Sequence, residues 1–287
     1  MIPFELAEPR SLKGALKLLD TEDPAVRAFG GCTALMLMMK TGVFQPSCLV
    51  SLRRVEKKHA GISREDGGLR IGALATLSSL EQSAAVRKAA PVITRTLRTL
   101  SNVRVRNVAT LGGHLAHADP HMDLPPVLIA LDAQLTAVSV AGGRRLAVQD
   151  LFTGYYETAL AKNELISAVH VPAQDGRRST YVKCTTRTAD DWPTLGIAVS
   201  LKTDGTLIED ARVVVSAATE KPLRMAQAEA QLRGATVTDA VLARVGEAAA
   251  AEAELIGDAR GSAAYKRELL RVHAARAVRQ ALAGGER

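Results

Sequence analysis

The fold of this chain is decided by residues 101–135, which read SNVRVRNVATLGGHLAHADPHMDLPPVLIALDAQL. The glycine pair Gly112-Gly113 is followed, within ten residues, by three histidines and two aspartates: His114, His117, Asp119, His121 and Asp123. Three interpretations are open at this point. The stretch is a metal site, a surface loop whose histidines are solvated or hydrogen-bonded, or a turn that wraps around a ligand.

The metal interpretation rests on the histidines. Clusters of histidine and aspartate bind zinc or iron, and His117 and His121 are four residues apart. Pro120 lies between them, and a proline at that position breaks the helix that would align two imidazoles. The sequence contains no HExxH motif or comparable order. A metal-dependent enzyme that uses His114, His117 and His121 is therefore kept as an alternative.

The ligand interpretation rests on two glycine turns, Gly30-Gly31-Cys32-Thr33 and Thr110-Leu111-Gly112-Gly113. Because glycine has no Cβ, the backbone can approach a ligand closely and turn its N–H groups toward phosphate oxygens. Thr33 and Thr110 add hydroxyl donors, so the two turns together are suited to clasp a pyrophosphate from two sides. Neither turn has the GxGxxG pattern, so this is not a Rossmann fingerprint.

Composition places the chain among folded globular proteins. Its 287 residues are 47% hydrophobic and 23% charged, which predicts two or three domains. The net charge of +7 suits a phosphate-bearing ligand or an acidic partner, but the basic residues are scattered and only 3% of residues are aromatic. We therefore expect no nucleic-acid partner.

The cysteines and the apolar segments indicate the compartment. Cys32, Cys48 and Cys184 lie far apart, which argues against a disulfide framework and against a cysteine-held iron–sulfur cluster in this chain. The densest apolar run, at 32–39, is far shorter than a membrane helix requires, and the N-terminal sequence lacks an apolar signal core. The sequence thus predicts a soluble cytoplasmic protein with no integral membrane segment.

Periodicity predicts a change of architecture along the chain. Before about residue 55, a helix capped by Ser11 precedes strands at 26–29 and 49–52, between which a second helix ends at Gly42. In the middle of the chain, the spacing of apolar residues predicts a helix that opens at Pro91. It also predicts strands at 69–73, 134–140, 144–148 and 164–171. The polar segment 173–178 predicts a linker, after which three strands form an antiparallel meander and the remainder is helical.

These segments, in this order, resemble the FAD-binding medium subunit of the molybdenum hydroxylases, the family of xanthine dehydrogenase, carbon monoxide dehydrogenase and the aromatic hydroxylases. Residues 101–135 resemble the flavin-binding signature, and AFGGCTALMLMMKTGVFQPSCLVSL (28–52) resembles the first glycine turn with its helix. LFTGYYETALAKNELISAVHVP (151–172) resembles a further segment of the same domain. Residues 181–201, 221–234 and 261–278 resemble the C-terminal domain of the family.

The resemblance implies an α+β fold. A two-subdomain FAD-binding fold of the vanillyl-alcohol-oxidase/PCMH type is expected to precede a C-terminal domain of a three-stranded antiparallel sheet plus helices. The implied domains are residues 1–55, the N-terminal FAD subdomain, residues 56–174, the middle FAD subdomain, and residues 178–287, the C-terminal flavoprotein-like domain.

The resemblance also implies the residues that contact FAD. Gly30, Gly31 and Thr33 are expected near the diphosphate, and Ile166 and Lys183 are expected to flank the flavin ring. The full implied set is Ala28, Phe29, Gly30, Gly31, Cys32, Thr33, Ala34, Leu35, Leu100, Thr110, Leu111, Gly112, Gly113, His114, Asp123, Ile166 and Lys183.

Some of these residues also allow simpler assignments. Taken alone, Asp123 is a candidate helix N-cap, Ile166 a core residue and Lys183 a solvated strand residue. His114 stands where relatives usually have Asn or Asp. Cys32 and Ala34 depart from the commoner Gly-Gly-Thr-Asp and Gly-Gly-Gln-Ser turns.

The function implied is electron transfer within an oxidoreductase complex. In the family, a large subunit with the molybdenum cofactor hydroxylates the substrate, and a small subunit carries 2Fe-2S clusters. Electrons pass from those clusters to FAD on the medium subunit and then to an external acceptor. A dimer of heterotrimers is the expected assembly, and no side chain of this chain is assigned a catalytic role. A flavin-less scaffold subunit is the second alternative, motivated by the altered first turn.

Overall fold

The N-terminal segment folds into a three-stranded parallel sheet with two crossover helices. The computed structural model describes residues 2–284. Strands β1 (Glu5–Ala7), β2 (Val26–Phe29) and β3 (Cys48–Ser51) are arranged in the order β1-β3-β2. Helix α1 (Leu12–Leu19) begins as predicted, because the Ser11 side chain accepts a hydrogen bond from the Gly14 amide at 3.1 Å. Helix α2 (Thr33–Lys40) follows the first glycine turn directly.

A five-stranded antiparallel sheet forms the middle of the molecule, in the order β4-β5-β10-β6-β7. Its strands are β4 (Ile62–Glu65), β5 (Gly68–Gly72), β6 (Gln134–Ser139), β7 (Gly142–Ala147) and β10 (Leu165–Val171). A small hairpin of β8 (Phe152–Gly154) and β9 (Glu157–Thr158) lies between β7 and β10 in the chain. Four of the five strands agree with the sequence: β5 with the strand predicted at 69–73, and the others with the runs at 134–140, 144–148 and 164–171.

Six short helices cover this sheet and enclose the largest apolar core. They are α3 (Leu77–Gln82), α4 (Ala84–Ala89), α5 (Pro91–Thr99), α6 (Val103–Arg106), α7 (Leu111–His117) and α8 (Leu124–Ala130). Pro91 opens α5, as predicted, since a proline at the first helical position sacrifices no hydrogen bond. Ile93 and Leu97 of α5 are completely buried together with Ile71 of β5. Helix α7 ends before Pro120, so His117 and His121 do not share a helix.

The C-terminal part joins an antiparallel meander to three helices. Strands β11 (Arg178–Cys184), β12 (Leu195–Asp204), β13 (Leu207–Ser216) and β14 (Leu223–Arg224) form a sheet in chain order. Helices α9 (Ala226–Leu232), α10 (Asp239–Glu252) and α11 (Ala263–Leu282) pack on it. The inward side chains of β12 and β13 bury a second core against these helices.

The α+β class and the two-part arrangement of this fold are confirmed, with one correction. The C-terminal sheet has four strands rather than the predicted three. The additional strand, β14, is only two residues long and pairs with the end of β13, so it leaves no alternating pattern in the sequence. The predicted ranges 1–55 and 178–287 extend, at Met1 and at 285–287, outside the described residues.

Candidate functional site

The two glycine turns lie against each other, although about 80 residues separate them in the chain. A Cβ atom placed on Gly31 would lie 2.2 Å from the carbonyl oxygen of Val108, and one on Gly30 would lie 2.6 Å from Oγ1 of Thr110. No side chain fits at such distances. The glycines are therefore needed first for the close contact of the two turns, which brings their polar groups to one place.

The first turn presents a row of amide groups that have no acceptor in the described part of the chain. Within residues 2–284, no acceptor contacts the amides of Gly30, Gly31 or Cys32, and no side chain caps α2. Cys32 adopts the left-handed conformation, with φ of 62°. Successive amides through such a bend form a concave surface that binds anions, and the helix dipole adds to the attraction.

Two neighbouring side chains support an anion at this turn. The guanidinium of Arg53 lies over the Phe29 ring, 6.0 Å from its centroid, at the end of β2. Burial raises the pKa of the Cys32 thiol, so the thiol is neutral at pH 7 and does not repel an anion. Arg53 was not singled out from the sequence, because nothing in the surrounding residues distinguishes it from the other scattered arginines.

The second turn offers a ligand fewer free backbone amides than its sequence suggested, because its amides donate to atoms of the protein. The amides of Leu111 and Gly112 donate to the carbonyls of Ala75 and Ala73, at 2.9 and 2.8 Å. The amide of Gly113 donates to Oγ1 of Thr110 at 3.2 Å. What this turn offers a ligand is therefore the Thr110 hydroxyl proton, which this cap leaves free, rather than the amides of the glycines.

Gly112 allows the start of α7 to pack closely against Ala73. A Cβ on Gly112 would lie 2.7 Å from Cβ of Ala73, and the amide of Ala73 donates to the carbonyl of Ser167 at 3.0 Å. Through Ala73, the start of α7 therefore lies beside Ser167 of β10, the residue that follows Ile166. Ile166 itself is 9% exposed and belongs to the middle core.

Asp123 and Lys183 form a buried ion pair. Nζ of Lys183 donates to Oδ2 of Asp123 at 3.1 Å and to the carbonyl of Thr99 at 2.8 Å, and both side chains are at most 7% exposed. The Tyr181 hydroxyl donates to Oδ1 of Asp123 at 2.8 Å. An ammonium carries three protons, so one proton of Lys183 is left for a further acceptor. Leu100 follows Thr99 directly.

The simpler assignment of Lys183 is wrong, whereas that of Asp123 holds for its position but not for its side chain. Asp123 stands at the N-cap position of α8 but makes no capping hydrogen bond, and Lys183 is buried rather than solvated. Tyr181 was missed from the sequence. It lies two residues before Lys183 on β11, and side chains two apart on a strand face the same side, so this spacing was the available signal.

Asp123 should give the folded protein a measurable pH dependence. Burial raises its pKa from 3.8 to about 6, although Lys183 and Tyr181 act in the opposite direction. The stability that this carboxyl contributes is thus present below its unfolded pKa and is lost as the pH rises to about 6. As the pH rises from about 4 to about 6, we expect the free energy of unfolding of wild type to fall by roughly 2–3 kcal/mol more than that of Asp123→Asn. Urea titration at each pH measures this difference. The control Asp204→Asn, at an exposed position, should show the same dependence of unfolding free energy on pH as wild type. If Asp123→Asn also showed the wild-type dependence, the raised pKa of Asp123 would be contradicted.

The three histidines face different surroundings. His114 is 9% exposed, its Nε2 has no partner within residues 2–284, and burial lowers its pKa to about 3, so the ring is neutral. His117 contacts the Tyr156 ring edge, with centroids 5.2 Å apart. His121 contacts Asp119 through Nδ1 at 3.1 Å and Asp258 through Nε2 at 3.0 Å. In the described part of the chain, no group of three or more His, Cys, Asp or Glu side chains is arranged to hold a metal ion.

These observations fit a dinucleotide with a diphosphate and a polar ring. Unpartnered amides and the Thr110 hydroxyl suit the diphosphate oxygens, whereas the free proton of Lys183 suits an acceptor on the ring. A buried polar atom without a partner, such as Nε2 of His114, is uncommon in folded proteins and indicates a ligand or solvent atom beside it.

No helix within residues 2–284 has both the length and the apolarity to cross a membrane.

Comparison with known proteins agrees with this geometry. A family profile described as the FAD binding domain in molybdopterin dehydrogenase matches residues 2–174, and one described as the CO dehydrogenase flavoprotein C-terminal domain matches residues 180–281. The nicotine 6-hydroxylase medium subunit of Paenarthrobacter nicotinovorans is 33% identical, covering 92% of each chain. The glyceraldehyde dehydrogenase medium chain of Sulfolobus acidocaldarius is 29% identical, covering 96% of this chain and 98% of its own.

Solved structures show the same fold. A chain of carbon monoxide dehydrogenase from Hydrogenophaga pseudoflava superposes with a TM-score of 0.94 at 31% identity, covering 99% of both chains. A chain of quinoline 2-oxidoreductase from Pseudomonas putida 86 superposes with a TM-score of 0.93 at 28% identity, covering 99% of this chain and 98% of that one.

Proposed function

The chain belongs to the molybdenum hydroxylase family as its FAD-binding medium subunit, and from this premise we propose that it binds one FAD at the junction of its two glycine turns and passes electrons through it. The observation that carries this proposal is the row of unpartnered amides at Gly30, Gly31 and Cys32, held in contact with Thr110. A diphosphate is the part of FAD that such donors recognise.

The residues predicted from the sequence are proposed to form one site. Ala28–Leu35 and Thr110–His114 surround the diphosphate, and Leu100, Asp123, Ile166 and Lys183 lie toward the ring. The support is that the structure joins the two turns directly, links Lys183 to Asp123 and to the residue before Leu100, and places Ile166 next to the strand contact of Gly112.

The role of the protein side chains is to bind FAD, to orient its ring and to tune its reduction potential. When bound, FAD supplies the conversion between single-electron and two-electron transfer. The Lys183 ammonium is held by two fixed acceptors, so its remaining proton points in a defined direction, and its charge stabilises negative charge on a neighbouring ring. Asp123 offsets part of that charge, and Tyr181 fixes the carboxylate.

Partners supply the rest of the reaction. The relatives are named as medium chains or subunits, and their names refer to glyceraldehyde, nicotine and carbon monoxide. We propose a large subunit with the molybdenum cofactor and a small subunit with 2Fe-2S clusters, assembled as a dimer of heterotrimers. Substrate choice would belong to the large subunit, since one medium-chain fold accompanies such different molecules.

The proposed organisation of the chain follows the sequence prediction. Residues 1–55 and 56–174 would form the two FAD subdomains and 178–287 the C-terminal domain, which accords with the separate small, middle and C-terminal cores. The three free cysteines accord with a reducing compartment, the cytoplasm.

Titration with FAD tests the proposal through a matched pair of variants. Fluorescence quenching should show about one FAD per wild-type chain. Thr110→Val removes the hydroxyl and should weaken FAD binding about tenfold or more, because a hydrogen bond to a charged group contributes 1.5–3 kcal/mol. Thr110→Ser keeps the hydroxyl and should bind close to wild type. Absence of FAD binding by wild type would instead favour the flavin-less scaffold, and equal binding by all three proteins would remove Thr110 from the site.

A further inference from the structure

A second cavity, separate from the glycine turns, opens where the middle sheet meets the start of β11. It has a volume of about 330 Å³ and lies between the α4–α5 junction, the β4–β5 hairpin and the segment that leads into β11. None of the residues that line it belongs to either glycine turn or to the Asp123–Lys183 pair. Its lining includes Arg64, Lys88, Val92, Gln174, Asp175 and Arg177.

Cations predominate around this cavity. Arg64, Lys88 and Arg177 line it, against one lining carboxylate, Asp175. Lys88 is exposed and has no ion-pair or hydrogen-bond partner within residues 2–284. Arg177 is paired with Asp210 through Nη2.

Two of the residues that line the cavity have a buried polar atom without a partner in residues 2–284. Nη1 of Arg177 has no acceptor, and Oε1 of Gln174 has no donor, within the described chain. The orientation of the Gln174 amide is fixed, because Nε2 donates to the carbonyls of Leu131 at 3.1 Å and Pro172 at 2.7 Å. A ligand that reaches these two atoms would accept from Arg177 and donate to Gln174.

The start of α5 adds a further donor. This nine-residue helix has Ala90 at the N-cap and Pro91 next, so no side chain caps it. The amide of Val92 has no acceptor within residues 2–284, whereas that of Ile93 donates to the carbonyl of Ala90. An oxyanion at this position would take the place of the missing cap.

We propose that this cavity binds a phosphate monoester. A phosphate group offers several acceptor oxygens for Arg177, Lys88 and the Val92 amide, and its second pKa near 6 leaves part of the population with an O–H that can donate to Gln174. A carboxylate provides no such donor. The volume exceeds that of a phosphate group alone and approaches the lower end of small-molecule sites, so the ester carries a small organic group.

Calorimetric titration of the FAD-saturated full chain tests the site, with ribose 5-phosphate, inorganic phosphate and acetate as probes. Saturation with FAD keeps the glycine turns from contributing. We expect ribose 5-phosphate and phosphate to bind and acetate not to bind. Lys88→Glu and Arg64→Glu should each weaken phosphate binding about tenfold or more, since attraction becomes repulsion at an exposed position. Lys17→Glu makes the same charge change on α1, away from the cavity, and should leave binding unchanged.

Three results would overturn the proposal: no heat with either phosphate probe, acetate binding as tightly as phosphate, or equal weakening by Lys17→Glu and Lys88→Glu. The test does not depend on FAD binding. If the chain took up no FAD, the same titration would be run without it, and sensitivity to Lys88→Glu but not to Thr110→Val would still assign binding to this cavity.

Discussion

Replacing Gly31 with valine is expected to abolish FAD binding while leaving most of the molecule folded. The new Cβ would lie 2.2 Å from the carbonyl oxygen of Val108 and 2.6 Å from Cα of Ala109, and both are backbone atoms that cannot rotate away. The two turns must then separate by about 1 Å, and misplacement on that scale removes hydrogen bonds that depend on converging donors. The FAD content of the purified variant, measured by absorbance after release, should be close to zero.

A control variant separates this effect from the general cost of substituting glycine. Gly143 lies on β7, and a Cβ there would meet only Cγ1 of Val138 at 3.3 Å and a carbonyl at 3.4 Å. Gly143→Ala should keep its FAD. Gly31→Val should also keep the circular dichroism of the C-terminal sheet and helices, whose core is distinct. A Gly31→Val protein with full FAD content would show that the contact of the two turns is not needed for the site.

The second large effect is expected at Asp258, which neutralises a lysine inside the protein. Lys266 is 1% exposed, and its Nζ lies 2.9 Å from Oδ2 of Asp258 and 3.2 Å from the carbonyl of Ala217. Removing the carboxylate leaves a buried ammonium without a counter-charge, which typically costs about 3–5 kcal/mol. Asp258→Ala should therefore lower the free energy of unfolding by that amount in chemical denaturation.

A double substitution provides the control for Asp258. Lys266→Met replaces the buried ammonium with an apolar chain of similar length, so Asp258→Ala combined with Lys266→Met should recover most of the lost stability. His121 also contacts Asp258, so recovery is not expected to be complete. If Asp258→Ala alone differed from wild type by less than about 1 kcal/mol, Lys266 would not depend on this carboxylate.

Most of the fold was predictable because its long elements carry clear periodicity. The strands that became β6, β10, β12 and β13 alternate or run apolar over six residues or more, and the helix cap at Ser11 and the helix-opening Pro91 are local signals. Strands β1, β8, β9 and β14 span two or three residues and were not predicted. They exist because a neighbouring strand pairs with them, which no local pattern encodes.

The candidate site was predictable in its parts but not in its assembly. Each glycine turn is visible in the sequence, whereas their contact depends on how β2 and the segment before α7 pack. The same packing uses the amides of Leu111 and Gly112 within the protein, which reduces the role expected for the second turn. The ion pair of Asp123 and Lys183 joins residues 60 apart in the chain, so their simpler local assignments appeared adequate until the packing was known.

The histidines show the limit of spacing as a signal. His114, His117 and His121 are close in the sequence, yet the end of α7 and Pro120 turn them toward three different surroundings. Of these three, His114 alone has a buried nitrogen without a partner within residues 2–284, and His114 follows Gly113 directly. Closeness in the sequence therefore does not give the three histidines a shared environment.

Hydrogen exchange of the backbone amides, measured by mass spectrometry with and without FAD, tests the central claim most directly. Within residues 2–284, the amides of residues 30–35 have no acceptor, because the first bond of α2 runs from the amide of Met36 to the carbonyl of Cys32, so these amides should exchange rapidly in the absence of FAD. We expect FAD to slow exchange in peptides that cover 30–35, and to leave peptides of α10 and α11 unchanged. Protection of other segments with residues 30–35 unaffected would contradict an FAD site at the first glycine turn.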